Sequence, residues 1–308
     1  MVRRILVTGA NKGIGLAIVN RCLADHKDTQ VVMACRSASR GEAAAAELIA
    51  ANPEWKERLL VLEMDTSSDA SVVAAADALK KKLGDKPPLL YGIVNNAGIA
   101  AGTISEVLNV NVRGPKRVDD AFIPLLDPVR GRVVQMSSGA ASGCVSKSSA
   151  ERRKIFVDPN VTWAQIGGML DEVEALPNGA KDFEAQGIGI GMVGAYGLSK
   201  ALLNSYTMLV AREHPNLKIN SCSPGMIATD IFGGFVPWWV PIPNAVLRFI
   251  VGKAMNAKTP DEGTVSTTHL LFSPEVEALP QGRYYGSDAK RSPLDVYRSP
   301  GSPPFEGP

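Results

Sequence analysis

The stretch Thr8-Gly9-Ala10-Asn11-Lys12-Gly13-Ile14-Gly15 decides the fold. It follows an apolar run at residues 4–8 and opens a helical pattern at 14–25. Glycines at such a turn let the chain reverse tightly and let its backbone approach a pyrophosphate. The helix start adds free N–H groups and the positive end of the helix dipole. The spacing is G-x-x-x-G-x-G rather than G-x-G-x-x-G. A glycine-rich turn says little alone; placed between a strand and a helix, it predicts a nucleotide cradle.

Downstream the alternation continues. Residues 30–36, 59–65, 90–95 and 131–137 read as strands, and 40–51 and 68–83 as helices. One further helix is expected at 107–126, another at 194–214, and a strand at 217–221. Such alternation predicts an α/β fold, a doubly wound parallel sheet of about seven strands with helices on both faces. Nothing marks a domain boundary, so residues 1–291 read as one domain. Two segments break the rhythm: 140–194, too long for a simple loop, and the apolar 230–256. Residues 292–308, rich in Pro, Ser and Gly, are expected to form an extended or disordered tail.

The 308 residues are 45% hydrophobic and 21% charged, the balance of an ordinary soluble globule. A net charge of +2 argues against general nucleic-acid binding. Cys22, Cys35, Cys144 and Cys222 lie far apart, with no C-x-x-C pair, and His26, His214 and His269 lack ligand spacing. Neither a disulfide framework nor a metal mechanism is expected. Met1-Val2-Arg3-Arg4 runs straight into a strand, so no leader is expected and a cytosolic, reducing compartment is the default.

The end of the second strand chooses the nucleotide. A carboxylate there would bond a ribose 2′-hydroxyl and repel a 2′-phosphate. This chain instead places Arg36 there, with Arg40 one turn on and Lys12 in the cradle, and no acid within 31–41. Guanidinium groups grip phosphate through several donors at once. The expectation is NADP (NADPH); a merely solvated basic rim is the alternative.

Tyr196-Gly-Leu-Ser-Lys200 lies on the helix expected at 194–214. Residues four apart on a helix share a face. An ammonium beside a phenol favours the phenolate and lowers its pKa from about 10. Alone, the pair equally suits a surface Tyr beside a solvated Lys. Downstream of a nucleotide cradle, it suggests an acid–base tyrosine.

Taken together, these residues resemble the short-chain dehydrogenase/reductase family. The resemblance rests on the Thr8–Gly15 turn, Asp65, Asn95-Asn96-Ala97-Gly98, Asn111, Ser137-Ser138, Tyr196-x-x-x-Lys200 and Pro224-Gly225 with Thr229. Within the family the chain looks most like the monomeric NADPH-dependent carbonyl reductases, which share the long segment before the tyrosine. The resemblance implies a Rossmann-like fold and reduction of a ketone or aldehyde. It assigns Tyr196 as proton donor, Lys200 to tune it and hold the nicotinamide ribose, and Ser138 to hold the substrate oxygen. Asn111 would hold a relay water. Gly9, Asn11, Lys12, Gly13, Ile14 and Gly15 would form the phosphate cradle. Asp65 would bond the adenine amino group, and Asn95, Ala97 and Gly98 would lie along the cofactor. Pro224, Gly225 and Thr229 would sit at the nicotinamide. By the same resemblance the chain is a monomer, since 140–194 would cover the face other members use to pair.

Departures limit the transfer of substrate. The stretch between Gly98 and Asn111 is shorter than in the animal carbonyl reductases, and 232–251 is longer and more apolar, closer to the retinol dehydrogenase-like branch. Pro237, Pro241 and Pro243 argue against a membrane span there. A substrate lid, a core segment and membrane-surface docking through Trp238 and Trp239 remain as readings. A membrane-associated lipid-alcohol dehydrogenase and a non-catalytic NADPH-binding regulator are the rival functions.

Overall fold

The computed structural model describes residues 2–190, 194–227 and 257–307. The chain opens β1 (Arg3–Thr8), α1 (Gly13–Asp25), β2 (Thr29–Cys35), α2 (Ala38–Ala51), β3 (Leu59–Glu63), α3 (Asp69–Leu83) and β4 (Gly92–Asn95). After α4 (Ile104–Leu108) and α5 (Gly114–Phe122) comes β5 (Arg132–Met136). Then follow α6 (Gly139–Lys147), α7 (Ala150–Val157), α8 (Trp163–Glu174), α9 (Gly194–Glu213) and β6 (Lys218–Cys222). The last elements are α10 (Val265–Phe272), β7 (Tyr284–Tyr285) and β8 (Arg291–Ser292).

Among the described residues the sheet has eight strands in the order β3-β2-β1-β4-β5-β6-β7-β8. All neighbours pair in parallel except β7 and β8, an antiparallel edge that sequence periodicity does not reveal because each has two residues. The order reverses between β1 and β4, which opens a crevice at the carboxyl ends of the strands.

Side-chain parity fills both faces. Leu6, Val32 and Ile93 pack with Val72, Phe122 and Leu202, whereas Ile5, Val7, Val31 and Val94 pack with Ile18, Val19 and Leu271. A strand buried on both faces reads as a continuous apolar run, as Ile5-Leu6-Val7 does. All four cysteines are free and buried, and burial pushes the Cys144 thiol up to about 12, so that residue is a core filler.

The helix expected at 107–126 is broken. α4 runs into a π-helical turn at Asn109–Arg113, α5 begins at Gly114-Pro115, and Ile123–Leu125 closes as a 3-10 turn. Proline has no N–H and its ring collides with the carbonyl four residues earlier, here that of Asn111. The Gly114 N–H instead reaches the Asn109 carbonyl five residues back. Single π turns often mark functional positions.

Residues 140–190 form a helical cover. Phe156 from α7, Ile166, Leu170 and Val173 from α8, and Phe183 are all buried in the core that contains α9. Arg152 pairs with Glu172, and Arg113 bonds Glu174 at 2.6 Å. α9 in turn is buried from Gly197 to Ala211, which holds its first turns rigidly.

The tail runs extended and is tied back to the domain by several contacts. Arg298 pairs with Asp288, donates to Ser292 Oγ at 2.9 Å and to the Ser302 carbonyl at 2.8 Å. The Phe305 N–H reaches the Arg291 carbonyl at 2.9 Å. A few charged contacts over distance outweigh a locally weak propensity.

Asp119 on α5 is buried and accepts from Asn95 Nδ2 at 2.8 Å and Gln135 Nε2 at 2.6 Å, with Tyr206 as a third partner. Burial pushes its carboxyl up to about 7, against the hydrogen bonds that favour the anion. The folded state therefore holds a proton that the unfolded chain, with an ordinary carboxyl, releases. This contribution to stability is full below the unfolded pKa and is lost as pH rises through about 7. Urea midpoints should show this decline, and Asp119→Asn should flatten it. An equal pH slope in the variant would remove Asp119 as its source.

Candidate active site

The cradle is built by three glycines for two different reasons. Gly9 and Gly13 have φ of 64° and 57°, a region that side chains with a Cβ rarely adopt. Gly15 is needed for space: a β-carbon there would lie 2.3 Å from the Gly9 carbonyl oxygen and 2.6 Å from Asn96 Nδ2. Asn96, which sequence reading leaves as a turn residue, is a cross-link. Its amide donates to the Thr8 carbonyl at 2.9 Å, while Thr8 Oγ1 accepts from the N–H groups of Asn96 and Ala97 at 3.0 and 2.9 Å. The loops after β1 and β4 are thereby locked side by side. Lys12 is the N-cap of α1 and its side chain does not cap the first-turn N–H groups. A pyrophosphate fits such a cradle. Asn11 and Ile14 lie half-buried within this turn.

Arg36 directly follows β2 and is exposed, and Ser37 caps α2 by accepting from the Arg40 N–H. Both guanidinium groups thus stand at the carboxyl end of β2, as the sequence predicts. Asp65 follows β3. Burial raises its pKa, but two Ser67 hydrogen bonds and the Arg36 and Arg117 charges outweigh that and leave it low. Its Oδ1 is occupied by Ser67 N and Oγ at 2.9 and 2.7 Å.

The Asn95 side chain turns into the core and donates to Asp119, because Asn95 ends a strand whose buried face meets α5. Ala97 and Gly98 sit beyond it; a β-carbon on Gly98 would lie 3.2 Å from Asn111 Oδ1 and 3.5 Å from Lys200 Nζ.

The catalytic candidates converge. Ser138 follows β5 and caps α6, accepting from the Ala140 N–H at 3.2 Å. Its hydroxyl is also hydrogen-bonded with the Tyr196 phenol, in the first turn of α9. Lys200 is 4% exposed, with Nζ 5.6 Å from the Tyr196 ring centroid and donating to the Met136 carbonyl at 2.7 Å. Asn111 is fully buried. Its Oδ1 accepts from the Ile99 N–H at 2.9 Å, and its Nδ2 donates to the Ile99 carbonyl at 2.8 Å and Ser199 Oγ at 3.0 Å.

The electrostatics differ from the simple expectation of a lowered phenol. Burial raises the Tyr196 pKa and the Ser138 hydrogen bond opposes it only in part. Burial also brings Lys200 down to about 8. The phenol keeps its proton near neutrality, which suits a donor.

Pro224 and Gly225 lie just beyond β6; Gly225 has φ 90° and its N–H donates to Ser223 Oγ at 3.1 Å. Thr229 and the apolar 230–256 segment lie outside the described residues. Sequence reading missed three contributors: Asn96 as a clamp, Ser199 as the anchor of Asn111, and the Met136 carbonyl as the seat of Lys200. Ser199 sits inside the quoted Tyr–Lys stretch and was legible only as a spacer.

A family model described as short chain dehydrogenase matches residues 3–150. The chain is 30% identical over 294 residues to the Bos taurus protein named carbonyl reductase (NADPH) 1, covering 91% of this chain and 94% of the relative. Its fold resembles salutaridine reductase from Papaver somniferum, with TM-score 0.72 and 24% identity over 92% of this chain and 99% of that one. The menthone neomenthol reductase from Mentha piperita is similar at TM-score 0.70 and 24% identity, covering 93% and 99% of the two chains. With its cradle, Ser–Tyr–Lys cluster and near-complete alignment to the bovine relative, the chain belongs to the short-chain dehydrogenase/reductase family.

Proposed function

We propose that this chain is an NADPH-dependent reductase of ketones or aldehydes in which Tyr196 donates the proton. One observation carries the reading: Ser138, Tyr196 and Lys200 meet beyond β5, with Asn111 and Gly98 against the lysine. The name of the bovine relative supports both the NADPH and the carbonyl. Gly9, Gly13 and Gly15 leave room for a pyrophosphate, and Arg36 and Arg40 suit a 2′-phosphate. When bound, the reduced nicotinamide supplies the hydride to the carbonyl carbon.

The protein's residues handle the oxygen. Ser138 Oγ hydrogen-bonds the carbonyl oxygen and draws electron density toward it. Tyr196, whose phenol pKa desolvation raises above its ordinary value, passes its proton to that oxygen as negative charge develops. Lys200, cationic below about 8, stabilises the phenolate left behind. The Asn111 side chain is fully engaged, so a relay water would rest on its main-chain carbonyl, which Pro115 deprives of an α-helical donor.

Among the described residues no helix is long and apolar enough to cross a bilayer. The same reading makes the chain a monomer, since α7 and α8 lie over α9. The test is NADPH consumption against a panel of quinones, α-dicarbonyls, retinal and cyclic ketones. Turnover of at least one carbonyl, by a species of 32.7 kDa in light scattering, is the expected result. Tight NADPH binding without turnover of any would favour the regulatory rival.

A further inference from the structure

The tail reaches the candidate site. Tyr297 lies against Gly139, the residue after Ser138: a β-carbon built on Gly139 would sit 2.8 Å from Tyr297 Cε2 and 3.2 Å from Cδ2. Glycine at 139 therefore lets an aromatic ring lie flush on the backbone that carries the catalytic hydroxyl. The neighbouring tail follows α6 as well. Ser142 Oγ approaches the Pro293 carbonyl, and Leu294 packs on the core that includes Ala141 and Cys144.

Position alone would not separate this ring from a chance surface aromatic, since single exposed apolar side chains are normal. Two further observations do. The next residue, Arg298, is 7% exposed in its pair with Asp288, whose other oxygen accepts from the Gly301 N–H at 2.9 Å. The chain on that side of Tyr297 is therefore fastened, while Tyr297 itself stays 59% exposed. In addition, the phenols of Tyr297 and Tyr196 both lie near enough to Tyr284 to act on it electrostatically. The three tyrosines thus share one end of the sheet, with Tyr284 hydrogen-bonded to Ser223 just ahead of Pro224.

We propose that Tyr297 is a specificity-determining wall of the substrate pocket, stacking on ring-bearing ketones as their carbonyl reaches Ser138. The inference rests on the carbonyl-reductase reading above. It assigns the tail a function in recognition, and the clamp at Arg298 is what makes that possible. A planar substrate ring offset over the Tyr297 face gains aromatic contact that a small acyclic carbonyl cannot match. The phenolic oxygen has no part in this, so phenylalanine should serve equally.

The experiment compares wild type, Tyr297→Ala and Tyr297→Phe at saturating NADPH. Each is assayed with the best ring-bearing ketone of an aryl and alicyclic panel and with diacetyl. In Tyr297→Ala the ratio of kcat/KM for the ring ketone to that for diacetyl should fall about tenfold, carried by KM. Tyr297→Phe should restore the wild-type ratio, and the KM for NADPH should stay constant. An unmoved ratio, an equal loss on both carbonyls, or a Phe variant that behaves like Ala overturns the inference alone. A wild-type protein that consumes NADPH with no carbonyl overturns the functional reading, and this inference with it.

Discussion

Replacing Tyr196 with phenylalanine should lower kcat for carbonyl reduction by about 1,000-fold while NADPH binding stays near wild type. The substitution removes one oxygen and keeps the ring. Leu198 and the buried residues that follow it on α9 keep their packing, so the helix and Lys200 stay in place. What disappears is the acidic proton held between Ser138 and the substrate oxygen. Ser138 remains able to bond that oxygen, which leaves polarisation without proton transfer and hence a residual rate. NADPH affinity, followed by fluorescence titration, reports the cradle at Gly9–Gly15 and should not move. A variant that turns over as fast as wild type would remove Tyr196 from the chemistry. A variant that loses NADPH binding as well would assign Tyr196 to the cofactor instead.

Arg36→Asp should cut the preference for NADPH over NADH, as a ratio of kcat/KM values, by about 100-fold. Arg36 is exposed at the end of β2, so the change breaks no core packing. Its charge also holds the Asp65 carboxyl down, and the reversal would weaken that effect. An aspartate there exchanges attraction of the 2′-phosphate for repulsion and can accept from a 2′-hydroxyl. NADH efficiency should therefore rise as NADPH efficiency falls. If both cofactors weaken equally, Arg36 supports the α2 start and does not read the phosphate. Wild-type protein that uses the two cofactors equally would overturn the NADP assignment itself.

Much of the fold was legible because its signals are local. Ile5-Leu6-Val7 and the Val31–Cys35 run report burial on both faces, and Gly9, Gly13 and Gly15 report a turn that needs no partner to be recognised. The Tyr196–Lys200 spacing was likewise a property of one helix. Ser138 bonds Tyr196, Lys200 lies by its ring, and Asn111 bonds Ser199 on the same helix. Asn95 shows what local reading leaves out. Its Nδ2 donates to Asp119, 24 residues away, across a packing contact that no local pattern encodes.

The sequence by itself determined the alternation of strands and helices, the glycine turn, the basic rim at Arg36 and the placing of Tyr196 and Lys200 one turn apart on one helix. These rest on periodicity, backbone conformation and charge within a few residues. Tertiary structure alone decided that the Asn111 turn is π-helical, that desolvation raises the Tyr196 phenol pKa despite the nearby lysine, and that the tail is clamped with Tyr297 on Gly139. Each of these depends on desolvation or on contacts between segments distant in the chain, and such energies exist only once the elements have packed.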